Sequence, residues 1–422
     1  MKKNSDSTKH EEANQNEQEN LLNLQYLDMI SEHKFLGLLA IKIQKFTSKI
    51  IKKRTIEIIK TLNSSKIEIM TLRKLCFEGI PDDLPSLRTI IWKIFFKFIP
   101  LNIDNWEEII DDKRMKYSNI KDKIMVKFEF DRKEHSKDST TNKDNYNKNK
   151  RVSIDHPLST KIDSKWKSYF DDLLLIEEIE KDVKRTRSHM HFFSKSAIDE
   201  KISSLPYFED FFKKEELSKA KCETNADKLT RILYIYAKLN PELRYIQGMN
   251  ELLAPIYYCF SHDNNPYFQN NVEADSFICF EEIMSRIKDI FMRVKDNTEV
   301  GINAKLKRIM DILRVIDKEL YLHFQTEKIE LQFFAFRWYT LLLTQEFELP
   351  DILRLWDSIF SVEDVFEFMS FLCISILKIK RADIISKDFS GIMLSLQNLE
   401  SLSIDELINM AKKIRDQYIN MT

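Results

Sequence analysis

The sequence predicts an all-α protein, and three observations carry that reading. Glycine is scarce, with 5 residues among 422, where roughly 7% is ordinary. Proline stands at only 9, so turn-forming residues are too few for a sandwich or a barrel. Apolar residues recur at intervals of three and four instead of alternating, which is the helical period. With 43% hydrophobic and 11% aromatic residues the chain can bury a large core. A stack of many helices with essentially no sheet is the expected architecture.

The elements follow in order. Residues 1–20 hold almost nothing that can be buried and are expected to be disordered. Over 21–70, Leu39, Ile43, Phe46 and Ile50 step by three and four with lysines between them, an amphipathic helical lead-in. Its Lys42, Lys45, Lys49, Lys52, Lys53 and Arg54 suit a solvated face and, half as often, an anionic membrane surface. Residues 131–151, reading DRKEHSKDSTTNKDNYNKNKR, offer Tyr146 as the one sizeable apolar group and are expected to be a flexible insertion. Asp163 and Ser164 are N-cap types ahead of Trp166, Tyr169, Phe170, Leu173, Ile176, Ile179 and Val183, a helix expected to fray near Arg187 to His189. A helical run spans Leu229 to Leu239 and breaks at Pro241. Leu331 to Phe360 reads as two helices with a sharp turn at Pro350. Ser403 to Glu406 forms a capping box before Leu407, Met410 and Ile414, so a helix closes the chain.

Several function classes are excluded on residues alone. Gly37, Gly79, Gly248, Gly301 and Gly391 are too far apart to write GxGxxG or GxxxxGK, which argues against a Rossmann or P-loop nucleotide site. The charge balances at 66 basic against 67 acidic residues, so no global field advertises nucleic acid. Cys76, Cys222, Cys259, Cys279 and Cys373 form no CxxC pair and read as buried thiols in a reducing compartment. A polar start and a longest later apolar stretch of only Phe368 to Leu377 predict a soluble, cytoplasmic chain. His189 and His191 are two apart, point to different faces of a helix, and are expected to be solvated instead of holding a metal. No HExxH or GxSxG occurs.

Two segments stand apart. Asp182 and Arg185, three apart on a helix, share a face, and a carboxylate there can hold a guanidinium in one orientation. Alone, such a pair is usually a solvated ion pair. Further on, Tyr245-Ile246-Gln247-Gly248-Met249-Asn250 spends a scarce glycine, which suggests a backbone position that a side chain would obstruct and a Gln247 presented at a turn. Its bland reading is a plain helix-helix turn.

Taken together, Ile179-x-x-Asp182-x-x-Arg185-Thr186 followed by Tyr245-x-Gln247-Gly248-Met249-Asn250 resembles the paired finger motifs of the TBC domain, a family of GTPase-activating proteins for Rab GTPases. Gly79-Ile80-Pro81, Leu87-Arg88 and Trp92-Lys93 resemble its opening, and Phe336-Arg337-Trp338 with Leu355-Trp356-Asp357-Ser358-Ile359-Phe360 its second half. Asp155 to Ser159, Ile235 to Pro241 and Gln332 to Trp338 look most like the branch known as member thirteen.

The resemblance implies two helical subdomains, with the domain over 71–363 and C-terminal helices over 364–422 packing on it. It implies that Arg185 is an arginine finger and Gln247 a glutamine finger, with Asp182 orienting the first and Tyr245, Gly248 and Asn250 shaping the turn of the second. The partner would be a GTP-bound Rab-family GTPase that itself holds GTP and Mg²⁺, so no cofactor is expected. The implied role is regulation of vesicle trafficking, in the cytoplasm or peripherally on endomembranes. The family usually has proline at the position of Ser188, so the loop beyond Arg185 is expected to be less rigid. Arg337, Trp356 and Asp357 are assigned to scaffold, as a buried Arg-Asp pair between C-terminal helices, and Trp92 and Trp338 to core. A non-catalytic helical scaffold that docks GTPases without stimulating them is the alternative.

Overall fold

The computed structural model describes residues 53–84, 86–138, 165–194, 223–291, 301–399 and 401–421, without the side chains of 126–138, 165–166 and 194. The helices are α1 (Lys53–Leu62), α2 (Ile69–Phe77), α3 (Leu87–Phe95), α4 (Trp106–Asp138), α5 (Lys165–Arg185), α6 (His191–Ser194), α7 (Asn225–Leu239), α8 (Met249–Ser261) and α9 (Pro266–Gln269). They continue as α10 (Val272–Phe291), α11 (Ile302–Ile316), α12 (Lys318–Thr326), α13 (Ala335–Thr340), α14 (Leu349–Ser361), α15 (Val365–Ile379), α16 (Arg381–Ile384), α17 (Phe389–Gln397) and α18 (Ile404–Met421). Extended pairing among the described residues amounts to the isolated bridge between Lys66 and Asn102, so the all-α expectation holds.

The chain divides into two compact units. The first takes the described residues of Met1–Asp112, Cys259–Val272 and Asn303–Thr422, the second those of Lys113–Tyr258 and Glu273–Ile302. In the first, Trp92 and Trp356 pack with ring centroids 5.9 Å apart, and Phe96 meets Phe360 edge-on at 4.7 Å. The apolar run Phe368 to Leu377 is the buried body of α15, against which α18 packs through Leu407, Ile408, Ala411 and Ile414. Its length is that of a core helix, and no helix among the described residues is long and apolar enough to cross a membrane. Gly79 sits at φ 91°, and a Cβ there would come within 2.8 Å of the Arg354 side chain. The positive φ is what favours glycine at this turn, since the long Arg354 side chain could shift aside.

Several expectations change here. Asp357 does not pair with Arg337. Its carboxylate is fully buried and takes Arg88, Trp92 Nε1 and the Ile80 N–H as donors, while Arg337 forks onto Glu346 at 2.7 and 3.0 Å. The reason is reach: Arg337 lies nine residues from Glu346 across one tight turn, whereas α3 brings Arg88 and Trp92 to Asp357 from far off in sequence. Leu331 to Phe360 contains one 3₁₀ turn, the short α13, and then α14 with Pro350 in its first turn. There proline removes only an N–H that has no helical partner. The link between them turns through Leu342 and Leu343, both at positive φ.

The expected insertion 131–151 begins in helix, because α4 runs on through Asp138. Arg, Lys and Glu there are good helix formers, and extending an existing helix needs no new nucleus. The rest of that segment, residues 1–52, the Asp163–Ser164 cap and Cys222 lie outside the described residues. Within the lead-in, α1 buries Thr55, Ile58, Ile59 and Leu62. Cys76, Cys259, Cys279 and Cys373 are buried thiols. At the far end, the Glu406 N–H donates to Ser403 Oγ at 3.4 Å, one arm of the expected capping box.

The second unit is fastened by buried charges. Arg231 on α7 forks onto Glu273 of α10 at 2.7 and 2.6 Å and also meets Glu223, and Tyr117 of α4 donates to Glu273 at 2.6 Å. Burial opposes the Glu273 charge, yet Arg231 and Lys121 outweigh it and hold the carboxyl at about 2 instead of 4.5. Since the folded value lies below the unfolded one, the stabilisation is complete above about pH 4.5 and is lost as pH falls toward 2. It amounts to about 3 kcal/mol. In acid unfolding followed from pH 5 to 2, a Glu273→Gln variant should start weaker and fall less steeply. Parallel curves would show that Glu273 is not a source of the acid sensitivity.

Candidate functional site: two braced loops

All six residues singled out from the sequence lie in the second unit, where α5 and α7 pack together. Ile176, Ile179 and Val183 give α5 its buried face, and the helix closes at Arg185. Thr186 tightens that end, its N–H reaching Asp182 O at 3.0 Å and its hydroxyl the same carbonyl at 2.9 Å. The chain then turns through Arg187 at φ 46°. A second turn follows α7, where Arg244 takes φ 55° and its N–H meets Asn240 O at 2.7 Å. Gly248, at φ 105°, ends it before α8 begins at Met249. The glycine answers a backbone conformation that side chains resist.

A buried polar cluster joins the two turns. Asp182, its side chain 7% exposed, divides its oxygens: Oδ1 receives Arg185 Nη2 at 2.5 Å and Oδ2 receives the Tyr245 hydroxyl at 2.7 Å. That hydroxyl also lies 3.1 Å from Asn250 Oδ1, which accepts the Gly248 N–H at the same distance. Asn250 Nδ2 donates to Thr186 Oγ1 at 2.8 Å. Burial, then the Asp182 carboxylate, pushes the Tyr245 phenol far above its ordinary value, so it stays a donor. Every polar group of this cluster has work within it, which fixes its members against one another. In contrast, the Arg185 side chain is 58% exposed and Gln247 is exposed. The arrangement offers one cation and one neutral amide to solvent from turns that share a single buried brace. Arg187 and Glu251, which pair at 3.8 Å beside it, carried no local sequence signal because 64 residues separate them. His189 and His191 stand in and just after the first turn, and no group of His, Cys, Asp and Glu placed to hold a metal occurs among the described residues.

An all-helical chain with an arginine and a glutamine on jointly braced turns defines a class. A family model described as the Rab-GTPase-TBC domain matches residues 209–385. TBC1 domain family member 13 of Homo sapiens is 32% identical over 409 residues, covering 87% of this chain and 99% of that protein. A TBC domain-containing protein of Schizosaccharomyces pombe is 28% identical, over 84% of this chain and 71% of its own length. Among solved structures, the Ypt/Rab-GAP domain of Gyp1p aligns with a TM-score of 0.63 at 21% identity, covering 88% of this chain and 99% of that one, a likeness of fold. The chain belongs to the TBC domain family.

Proposed function

We propose that this protein accelerates GTP hydrolysis by a GTP-bound Rab-family GTPase, supplying Arg185 and Gln247 in trans and so regulating membrane trafficking. The observation that carries the reading is the brace: Asp182, Tyr245, Asn250 and Thr186 tie the turn after Arg185 to the turn of Gln247 while leaving both side chains exposed. Phosphoryl transfer from GTP passes through a loose transition state that needs a cation at the transferring group and a water held in line. The partner would hold GTP and Mg²⁺ with its own loop, so this chain needs no cofactor. Arg185 remains charged and can meet two oxygens at once. Gln247 can accept from the attacking water and donate to a phosphate oxygen, as an amide can do both. A cytoplasmic protein acting at endomembrane surfaces fits this role.

Single-turnover hydrolysis across a panel of GTP-loaded Rab proteins tests the proposal, and stimulation of none of them would sink it. Gln247→Ala should lower the maximal rate of the responsive GTPase by about 100-fold while its affinity stays within a few-fold, because the amide acts mainly in the transition state. A Rab whose own catalytic glutamine is replaced by alanine should still be stimulated by the unaltered chain. Loss of stimulation there, with the native Rab still responding, would show that Gln247 does not position the water.

A further inference from the structure

We infer that the ion pair between Arg187 and Glu251 is a further rung between the two turns, which makes these two side chains positioning residues for Arg185 and Gln247. The inference rests on the function proposed above for its catalytic consequence, and on geometry alone for the clasp. Thr186 and Arg187 are consecutive, as are Asn250 and Glu251. Asn250 Nδ2 meets Thr186 Oγ1 at 2.8 Å, and one residue further on each side Arg187 Nε lies 3.8 Å from Glu251 Oε2. The Tyr245 hydroxyl on Asp182 Oδ2 at 2.7 Å already ties the same turns on the near side of Thr186. The Arg187–Glu251 pair adds a contact on the far side, so the chain is held on both sides of Thr186, and Arg185 directly precedes it.

Three further observations support the clasp. Both side chains of the pair are only 9% exposed, so their attraction is screened less by solvent than a surface pair's would be. Arg187 holds φ 46°, a conformation a non-glycine residue keeps when its surroundings determine it. The turn closes on itself through the Met190 N–H to Arg187 O at 2.7 Å. Asn250 Nδ2, 3.5 Å from Glu251 Oε1, is the neutral group that faces the carboxylate from the same turn. Ser188 also has a part. A proline there would push residue 187 toward extended backbone, away from the conformation seen, so the serine leaves Arg187 free to turn its guanidinium to Glu251.

The test uses the full chain with Glu251→Gln, Arg187→Met, the double variant and Ser188→Pro. With a GTP-loaded Rab that responds to the unaltered protein, each is expected to lower the maximal rate by about 10- to 100-fold, the effect of misplacing a reacting group by about an ångström. The concentration giving half-maximal stimulation should move by less than about threefold, a split that a general loss of folded protein would not give. Losses in the double variant should match the worse single, because the two residues act as one unit. Amide exchange, measured without any GTPase, should quicken over residues 186–190 in Glu251→Gln, on the far side of the rung from the substitution. Wild-type rates in Glu251→Gln and Arg187→Met, multiplied losses in the double variant, or unchanged exchange would each overturn the clasp. If the unaltered chain stimulates no Rab while exchange quickens, the functional reading falls and the clasp stands.

Discussion

Replacing Arg185 by alanine is expected to lower the maximal rate of stimulated GTP hydrolysis by about 10³- to 10⁵-fold, the range over which arginine fingers act. Two features of the site make the substitution a clean probe. The side chain is 58% exposed, and Asp182 keeps its bond from Tyr245 when the guanidinium is gone. An ion pair with one partner this exposed contributes at most about 1 kcal/mol to stability, so the fold and the brace should survive. Lysine should restore little, because a point charge on a flexible stem cannot span two phosphoryl oxygens or keep the fork that Asp182 now aligns. Affinity for the GTP-loaded partner should stay within a few-fold, since the missing interaction belongs to the transition state. Single-turnover rates at saturating concentrations of each variant decide the matter. A rate for Arg185→Ala within tenfold of the unaltered protein would remove the finger and favour a docking scaffold.

How much of this was legible depended on how local each signal was. Helical periodicity marked α5, α7 and α18 because their buried faces repeat within a few residues, and Asp182 with Arg185 could be paired because one helical turn separates them. Gly248 was legible as a special backbone position, although its demand turned out to be a φ of 105°. The contacts that span the two turns were not legible. Thr186 meets Asn250 from 64 positions away, and no pattern within a single segment records such a distance. The same limit explains the misassigned partner of Asp357. Arg337 was nearer in sequence, and the tight turn after α13 gave it Glu346 instead. Helix length failed for another reason: α4 continues into a polar stretch where apolar periodicity, the signal used, has nothing to mark.

Asp357→Ala should destabilise the first unit by about 3 to 5 kcal/mol, the cost of stripping one partner from a buried ion pair, against a total that for most domains is about 5 to 15. The carboxylate is fully buried. Its Oδ2 takes the Ile80 N–H at 2.8 Å and its Oδ1 takes Trp92 Nε1 at 2.8 Å, while Arg88 reaches both oxygens at 3.2 to 3.3 Å. Ile80, Arg88 and Trp92, scattered along the sequence, thus converge on one acceptor in α14. Its removal would leave an indole N–H and a backbone N–H buried without a partner, each costing about 1 to 3 kcal/mol. Arg88 would keep Asp82 and the Ile80 carbonyl, yet Asp82 is 80% exposed and compensates little. Asparagine should rescue poorly, because its NH₂ would point at donors where the carboxylate offered only acceptors. Denaturant unfolding with an unchanged slope measures the loss directly. Combining Asp357→Leu with Arg88→Leu should cost less than the sum of the two single changes, as the stranded cation goes with its partner. Strict additivity, or a loss below about 1 kcal/mol for Asp357→Ala, would mean that the convergence on Asp357 does not hold this unit together.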